Sequence, residues 1–214
     1  MLDRVVLAWL APTVQRMAVA LVRRGVRADA VTLAGAAVGL SGSGLVAFGQ
    51  PLAGLVLMAI GRLADGLDGA VARLTAPTSR GAFLDITLDF LFYASVPLAF
   101  ALMDPARNAL AAAVLLAAFI GTGSGFLGFA ILAERQGLSS AAYPQKGFYY
   151  LGGLTEGTET LLCFSAMCLW PSAFAPLAHG FAALCGLTVA MRLVAGWTLL
   201  DAVPDTAPDK EPIP

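Results

Sequence analysis

Four aspartates, Asp65, Asp68, Asp85 and Asp89, fall within 25 residues of an otherwise apolar sequence. Asp65 and Asp68 stand at i and i+3, and Asp85 and Asp89 at i and i+4. On helices, each pair projects from one face. Four carboxylates gathered in one site cannot all stay bare anions, so protons or divalent cations must offset them. Oxygen-only donors favour magnesium, manganese or calcium over zinc. Magnesium keeps several waters and binds through carboxylates together with substrate phosphates. A pair of such ions suits chemistry at a phosphate. A proton or cation pathway and a purely structural polar network are the other readings of the same residues.

The elements that carry these aspartates follow from composition. Of 214 residues, 58% are hydrophobic and 13% charged, about half the ~25% charged of a soluble domain. Mean hydropathy is +0.79. These values exclude most soluble folds, and the unperiodic spread of 23 Gly and 12 Pro excludes a collagen-like chain. A net charge of -1 gives no bulk attraction to nucleic acid. The expected fold is all-α: a polytopic integral membrane protein with six transmembrane helices, preceded by an amphipathic interfacial helix at residues 2–24. That first segment is interrupted by Arg4, Pro12, Gln15 and Arg16. Lying in the interface lets its arginines reach phosphates while Trp9 and the leucines enter the acyl boundary. No cleavable signal is expected, because the basic start and short apolar core of one are missing.

The six spans are expected at about 30–49, 51–74, 79–103, 107–133, 147–170 and 173–199, with Asp29 as N-cap of the first and Pro51 opening the second. Residues 1–200 read as a single membrane domain. Residues 201–214, with Pro204, Pro208, Pro212 and Pro214, read as a polar, disordered tail. One set of span ends holds Arg4, Arg16, Arg23, Arg24, Arg27, Arg73, Arg80, Arg135 and Lys146, and the other holds Arg107. The positive-inside rule then makes both termini cytoplasmic. At about 1.5 Å per residue, Asp65 lies about 21 Å along the second span, and Asp85 and Asp89 about 6 and 12 Å into the third. The short connection makes the two spans antiparallel neighbours, so the four carboxylates converge in the cytoplasmic half.

Other residues carry weaker signals. Gly66, Gly69, Ala70 and Ala72 allow close approach of a neighbouring helix or of a ligand to the backbone. Arg73 supplies a bidentate cation suited to phosphate, or an anchor at the interface. Glu156 and Glu159 are placed within the fifth span, and the depth of Glu156 matches that of Arg62, so an Arg62–Glu156 ion pair or polar network is one reading and lining of an acceptor pocket the other. Lys146 and Arg192 are placed near the cytoplasmic span ends, as lipid anchors or as contacts for an anionic acceptor. Tyr149, Tyr150 and Trp197 read as interfacial belt residues. His179 falls far from the aspartates. Cys163, Cys168 and Cys185 have no metal-like spacing and read as buried apolar residues.

The stretch from Asp65 to Arg73, followed by Gly81, Asp85 and Asp89, resembles the CDP-alcohol phosphotransferase signature, D-x2-D-G-x2-A-R-x8-G-x3-D-x3-D. Every fixed residue type is present, and the connection 74–80 is one residue shorter than the pattern. Thr32 resembles the Thr of a P-N-x-x-T segment that often opens the first span in that family. Ala28 and Asp29 stand where that segment has Pro and Asn. The resemblance implies transfer of a substituted phosphate from a CDP-linked donor, usually CDP-diacylglycerol, to an alcohol, with release of CMP. It implies that Asp65, Asp68 and Asp85 ligate a two-metal centre of Mg2+ or Mn2+. Asp89 completes the second metal site and acts as general base. Gly69, Ala72, Arg73 and Gly81 accommodate the CDP moiety, with Lys146 and Arg192 as acceptor contacts. The expected setting is the bacterial inner membrane with a cytoplasmic active site, surrounded by membrane lipids and without nucleic acid.

The alternative class is a small cation-coupled transporter using the aspartates as its ion site. Such a protein is expected to show repeats or broken helices around a midplane site, and no convincing repeat is present. Serine, glycerol phosphate, inositol, inositol phosphate, choline and ethanolamine all stay open as acceptors. A homodimer is the family expectation, with the Gly-rich fourth span (Gly121, Gly123, Gly125, Gly128) available to support it.

Overall fold

Helix ends follow the punctuation of the sequence. The computed structural model describes residues 2–135 and 153–201. The helices are α1 (Leu2–Arg23), α2 (Ala28–Ala47), α3 (Pro51–Leu74), α4 (Ser79–Met103), α5 (Pro105–Arg135), α6 (Gly157–Leu169) and α7 (Phe174–Asp201), with a single 3-10 turn at Pro171–Ala173. Gly25 and Gly49 follow α1 and α2 with φ of 73° and 79°, the left-handed conformation that glycine adopts without a Cβ clash. Past Gly49, the Gln50 N–H returns to the Leu45 carbonyl at 2.9 Å. Pro51 then opens α3, where its missing N–H does no harm. Asp104 ends α4 and accepts the Arg107 N–H at the start of α5.

Several boundaries differ from those expected. The N-cap of α2 is Arg27, not Asp29; Asp29 stands in the first turn, where its charge complements the helix dipole. The fifth expected span, 147–170, contains a helix only from Gly157 to Leu169. Residues 153–156 are irregular, and 147–152 lie outside the described residues, as do Lys146, Tyr149, Tyr150 and the tail 202–214.

Among the described residues, α2, α4, α5 and the segment Pro171–Leu199 are long and apolar enough to cross a membrane. The 24-residue α3 carries Arg62, Asp65, Asp68 and Arg73, and α6 has 13 residues. Large apolar side chains cover the outside as well as the core: Leu110, Ile120, Val194 and Trp197 are all strongly exposed. Helices that are apolar all round are matched to hydrocarbon rather than to water.

The tightest crossing joins α2 to α3. Gly35, Gly39 and Gly42 on α2 face Ala64, Gly61 and Gly54 on α3. A Cβ on Gly61 would stand 2.8 Å from the Gly35 carbonyl oxygen and from Gly39 Cα. Small residues bring the two backbones together, and α4 closes against α2 from another side. There Ser43 and Ser95 share a hydrogen bond of 2.7 Å. The main core lies toward the α2–α3 turn, around Phe92, Val96, Phe100, Leu115, Phe164, Met167 and Phe174. Phe100 and Phe174 stack there at 4.5 Å. A second core, Ala18, Val31, Leu67, Ala70 and Val71, ties α1 and α2 to the far end of α3. In the Gly-rich α5, Gly123 packs on Phe90 and Gly121 on Val189, while Gly125 and Gly128 face open space.

Gly61→Ala is therefore expected to destabilise the fold by about 1–3 kcal/mol through overpacking. Gly66→Ala, with nothing within 4 Å of the added Cβ, should leave stability unchanged. Thermal unfolding of both variants in detergent checks the contrast.

Candidate active site

Helices α3 and α4 are joined by Thr75–Thr78 and both pack on α2 rather than along each other, and in this arrangement the motif aspartates come together. Thr78 sets the start of α4: its hydroxyl accepts the Gly81 N–H at 3.0 Å. One carboxylate oxygen each from Asp65, Asp68 and Asp85 lies within 4.8 Å of the other two. Asp68 is 5% exposed, and its buried Oδ2 has no hydrogen-bond partner. A buried carboxylate oxygen without a donor is costly unless a cation faces it. The three residues thus fit a hard divalent ion bound through oxygen.

Asp89 lies one turn further along α4 and is engaged differently. Its Oδ1 accepts Arg62 Nη1 at 2.5 Å, while Arg62 Nη2 reaches Asp65 Oδ2 at 2.5 Å. The guanidinium also lies 5.2 Å from the Phe92 ring centre and 5.5 Å from that of Tyr93. The expected Arg62–Glu156 pair is therefore replaced by an Arg62 bridge between Asp65 and Asp89. The physical reason is the late start of α6. Glu156 is its N-cap, and its Oε1 accepts the Gly153 N–H at 3.4 Å, so a depth counted along a continuous helix from 147 does not apply.

A small cleft opens beside this bridge, walled by Thr32, Gly35, Gly61, Arg62, Asp65 and Asp89. Thr32, read from the sequence, thus reaches the aspartates. Of the small motif residues, Gly66 faces open space. A Cβ on Gly69 would stand 3.3 Å from Arg73 Nη1, and one on Gly81 would stand 3.1 Å from Asp29 Oδ1 and Thr78 Oγ1. Ala72 is half-buried and Arg73 exposed. Arg80 bonds Asp29, joining the starts of α2 and α4. Sequence reasoning missed the partners of Arg62 and Asp29. The i, i+3 spacing of Arg62 and Asp65 was the available signal for the first.

Arg192 stands on α7. It is buried, its Nη1 donates to the Thr122 carbonyl at 3.0 Å, and it lies over the Phe126 ring. One turn earlier, Thr188 Oγ1 accepts the N–H groups of Leu154 and Thr155 at 3.2 Å each. This fastens the irregular segment before α6 to α7. Burial at the α5–α7 contact makes Arg192 a residue of the bundle interior rather than an anchor at its lipid surface. His179 bonds the Ala175 carbonyl of its own helix.

The family model for CDP-alcohol phosphatidyltransferase matches residues 26–194. The chain belongs to the CDP-alcohol phosphatidyltransferase family. It is accordingly a transferase of substituted phosphate groups, and the transporter reading is set aside. The chain is 48% identical over 203 residues to the inner membrane protein YnjF of Escherichia coli (strain K12), covering 95% of this chain and 98% of that one. Its fold is similar to that of the phosphatidylinositol phosphate synthase PgsA1 of Mycobacterium tuberculosis. The structure of PgsA1 with CDP-DAG bound gives a TM-score of 0.65 at 25% identity, over 86% of this chain and 94% of that one. The complex with manganese and citrate gives 0.69 at 24% identity, over 86% and 89%.

Since Thr78 caps the helix that carries both Asp85 and Asp89, Thr78→Ala should lower stability by about 1 kcal/mol. Thermal unfolding measures this. The Arg80–Asp29 pair is largely exposed on the Arg80 side, so Arg80→Gln should change stability less.

Proposed function

We propose that the protein transfers a phosphatidyl group from a CDP-linked lipid, such as CDP-diacylglycerol, to a small alcohol and releases CMP in phospholipid synthesis. The observation that carries this reading is the gathering of Asp65, Asp68 and Asp85, with the orphaned Asp68 oxygen among them, at the family motif. These three residues would hold Mg2+ or Mn2+. When bound, such an ion supplies positive charge against the diphosphate and the departing nucleotide. Manganese in the PgsA1 complex supports that chemistry by analogy.

The remaining roles fall to the chain's own residues. Gly69, Ala72 and Gly81 leave room for the CDP moiety, and exposed Arg73 offers two donors to a phosphate. Asp89 takes the proton of the acceptor hydroxyl. The hydroxyl oxygen bonds to the lipid-linked phosphorus, and the bond from that phosphorus to CMP breaks. Binding that holds the two reactants in line supplies much of the rate. Arg192 and Lys146 would meet an anionic acceptor; Lys146 lies outside the described residues.

The membrane setting completes the proposal. Six spans, α2 to α5, the segment 147–170 that ends in α6, and α7, would cross the bilayer, with α1 in the interface and residues 1–200 forming one domain ahead of a polar tail. The name of YnjF supports a bacterial inner membrane. The Lys and Arg distribution supports cytoplasmic termini and a cytoplasmic site. The open Gly125 and Gly128 on α5 offer a surface for a second copy.

The test is CMP release by the purified protein in nanodiscs containing CDP-diacylglycerol, with Mg2+ or Mn2+ and a panel of acceptors: serine, glycerol phosphate, inositol, inositol phosphate, choline and ethanolamine. The expected outcome is CMP formation with one acceptor class. Asp89→Asn should lower turnover about 10²–10⁴-fold while leaving CDP-lipid binding largely intact. Turnover retained in that variant contradicts the base assignment, and failure of every acceptor contradicts the reaction.

A further inference from the structure

The passage from α1 into α2 gathers positive charge that the bundle does not use. Residues 11–35 contain four arginines, Arg16, Arg23, Arg24 and Arg27, and a single carboxylate, Asp29. All four arginines are exposed, and none has a carboxylate partner among the described residues. Asp29 is already taken by Arg80. The negative end of the helix dipole accounts for a cation in the last turn of α1, where Arg23 stands. It does not account for Arg16, two turns earlier, or for Arg27, beyond the turn at Gly25.

The other side of α1 explains the arrangement. Val14, Ala18, Leu21 and Val22 pack with Val31 of α2 and with Leu67, Ala70 and Val71 of α3. Arg16 and Arg23 are seven residues apart, close to two helical turns, so they share one side of α1, and Ala18 and Leu21 fall on the opposite side. The apolar side is thus fastened to the helix that carries Asp65 and Asp68, and the arginines are presented outward. Arg24 and Arg27 stand at the corner where α1 ends and α2 begins. Because α2 is long and apolar enough to cross a membrane, its first turn marks the edge of the hydrocarbon.

A partner for this corner must be anionic, lie at the membrane surface and accept several guanidinium groups together. A layer of anionic phospholipid headgroups meets all three conditions. Its phosphates accept bidentate guanidinium bonds, and clusters of four or more basic residues beside a span or on an amphipathic helix are drawn to such a surface. A zwitterionic headgroup layer carries no net charge to attract them.

We infer that Arg16, Arg23, Arg24 and Arg27 form a binding surface for anionic phospholipid headgroups, which holds α1 in the interface while its apolar side braces the motif half of α3. The lipid bound there is a bulk component of the bilayer, distinct from the CDP-linked donor. Its binding depends on the interfacial placement of α1 and not on the transferase reaction.

Electron paramagnetic resonance of the full chain in phosphatidylcholine bilayers, with trace spin-labelled phosphatidylglycerol or phosphatidylcholine, tests this without reference to turnover. The wild-type protein is expected to associate with phosphatidylglycerol at least about threefold more strongly than with phosphatidylcholine at low salt. That preference should largely vanish at 1 M salt, where the screening length falls to about 3 Å. Replacing all four residues, as Arg16→Gln, Arg23→Gln, Arg24→Gln and Arg27→Gln together, should bring the ratio below about 1.5. The corresponding fourfold Arg→Lys variant keeps the charge and should keep the preference. Saturating CMP with Mn2+ should leave the wild-type ratio unchanged. Equal association of the two lipids with the wild-type protein overturns the inference, as does a preference retained by the folded glutamine variant. A preference abolished by CMP places the lipid in the catalytic cleft and overturns it too. If the glutamine variant does not fold, the wild-type salt series decides, and a preference that persists at 1 M salt overturns the inference.

Discussion

The structure depends on keeping negative charge inside a bundle that has little else to offset it. Three carboxylates of α3 and α4 meet within 4.8 Å, with Asp68 buried and one of its oxygens unpartnered. An anion in such surroundings loses several kcal/mol of hydration. The bundle can hold the cluster only if cations return that energy. Arg62 does so for Asp65 and Asp89, and the remaining oxygens face the position a divalent ion would take.

Backbone proximity makes this arrangement possible. Glycines of α2 and α3 meet along their crossing, so α3 is pressed close to α2 and its motif face is turned toward α4. Phe92 connects the two tasks: its ring lies against Gly39 on one side and near the Arg62 guanidinium on the other. Substitution in the glycine seam is therefore expected to reach the carboxylates through Phe92 and Arg62, without touching a ligand directly. Thr78 and the Asp29–Arg80 pair fix the opposite end of α4, so the helix that carries Asp85 and Asp89 is held at both its capped start and its packed middle.

What the sequence disclosed and what it withheld divide along a physical line. Helices α3 and α4 match their expected limits, because Pro51, the Thr-rich connection and Asp104 are local signals. The convergence of Asp65, Asp68 and Asp85 was legible from helical spacing, but the short connection does not make α3 and α4 packed neighbours, because both lie on α2. The partner of Arg62 was not, because spacing along one helix does not say which neighbouring helix a long side chain meets. Glu156 was misplaced for a related reason: depth counting assumes a continuous helix, and the irregular residues before Gly157, pinned by Thr188, break it. The roles of Gly35, Gly39, Gly42, Gly54 and Gly61 were hidden as well, since glycines are numerous in this chain and only the crossing of α2 and α3 distinguishes them from Gly44 or Gly66.

The central claim is that the aspartate cluster binds a divalent ion in order to bind a CDP-linked donor, so the two binding events should be coupled. Isothermal titration of CMP into the purified protein, with manganese and then with the metal chelated, measures that coupling directly. The account predicts that chelation weakens CMP binding by at least about tenfold, a coupling of about 1.4 kcal/mol or more, and that Asp68→Asn shows the weakened affinity even with manganese present. Equal affinity for CMP with and without the metal would contradict it.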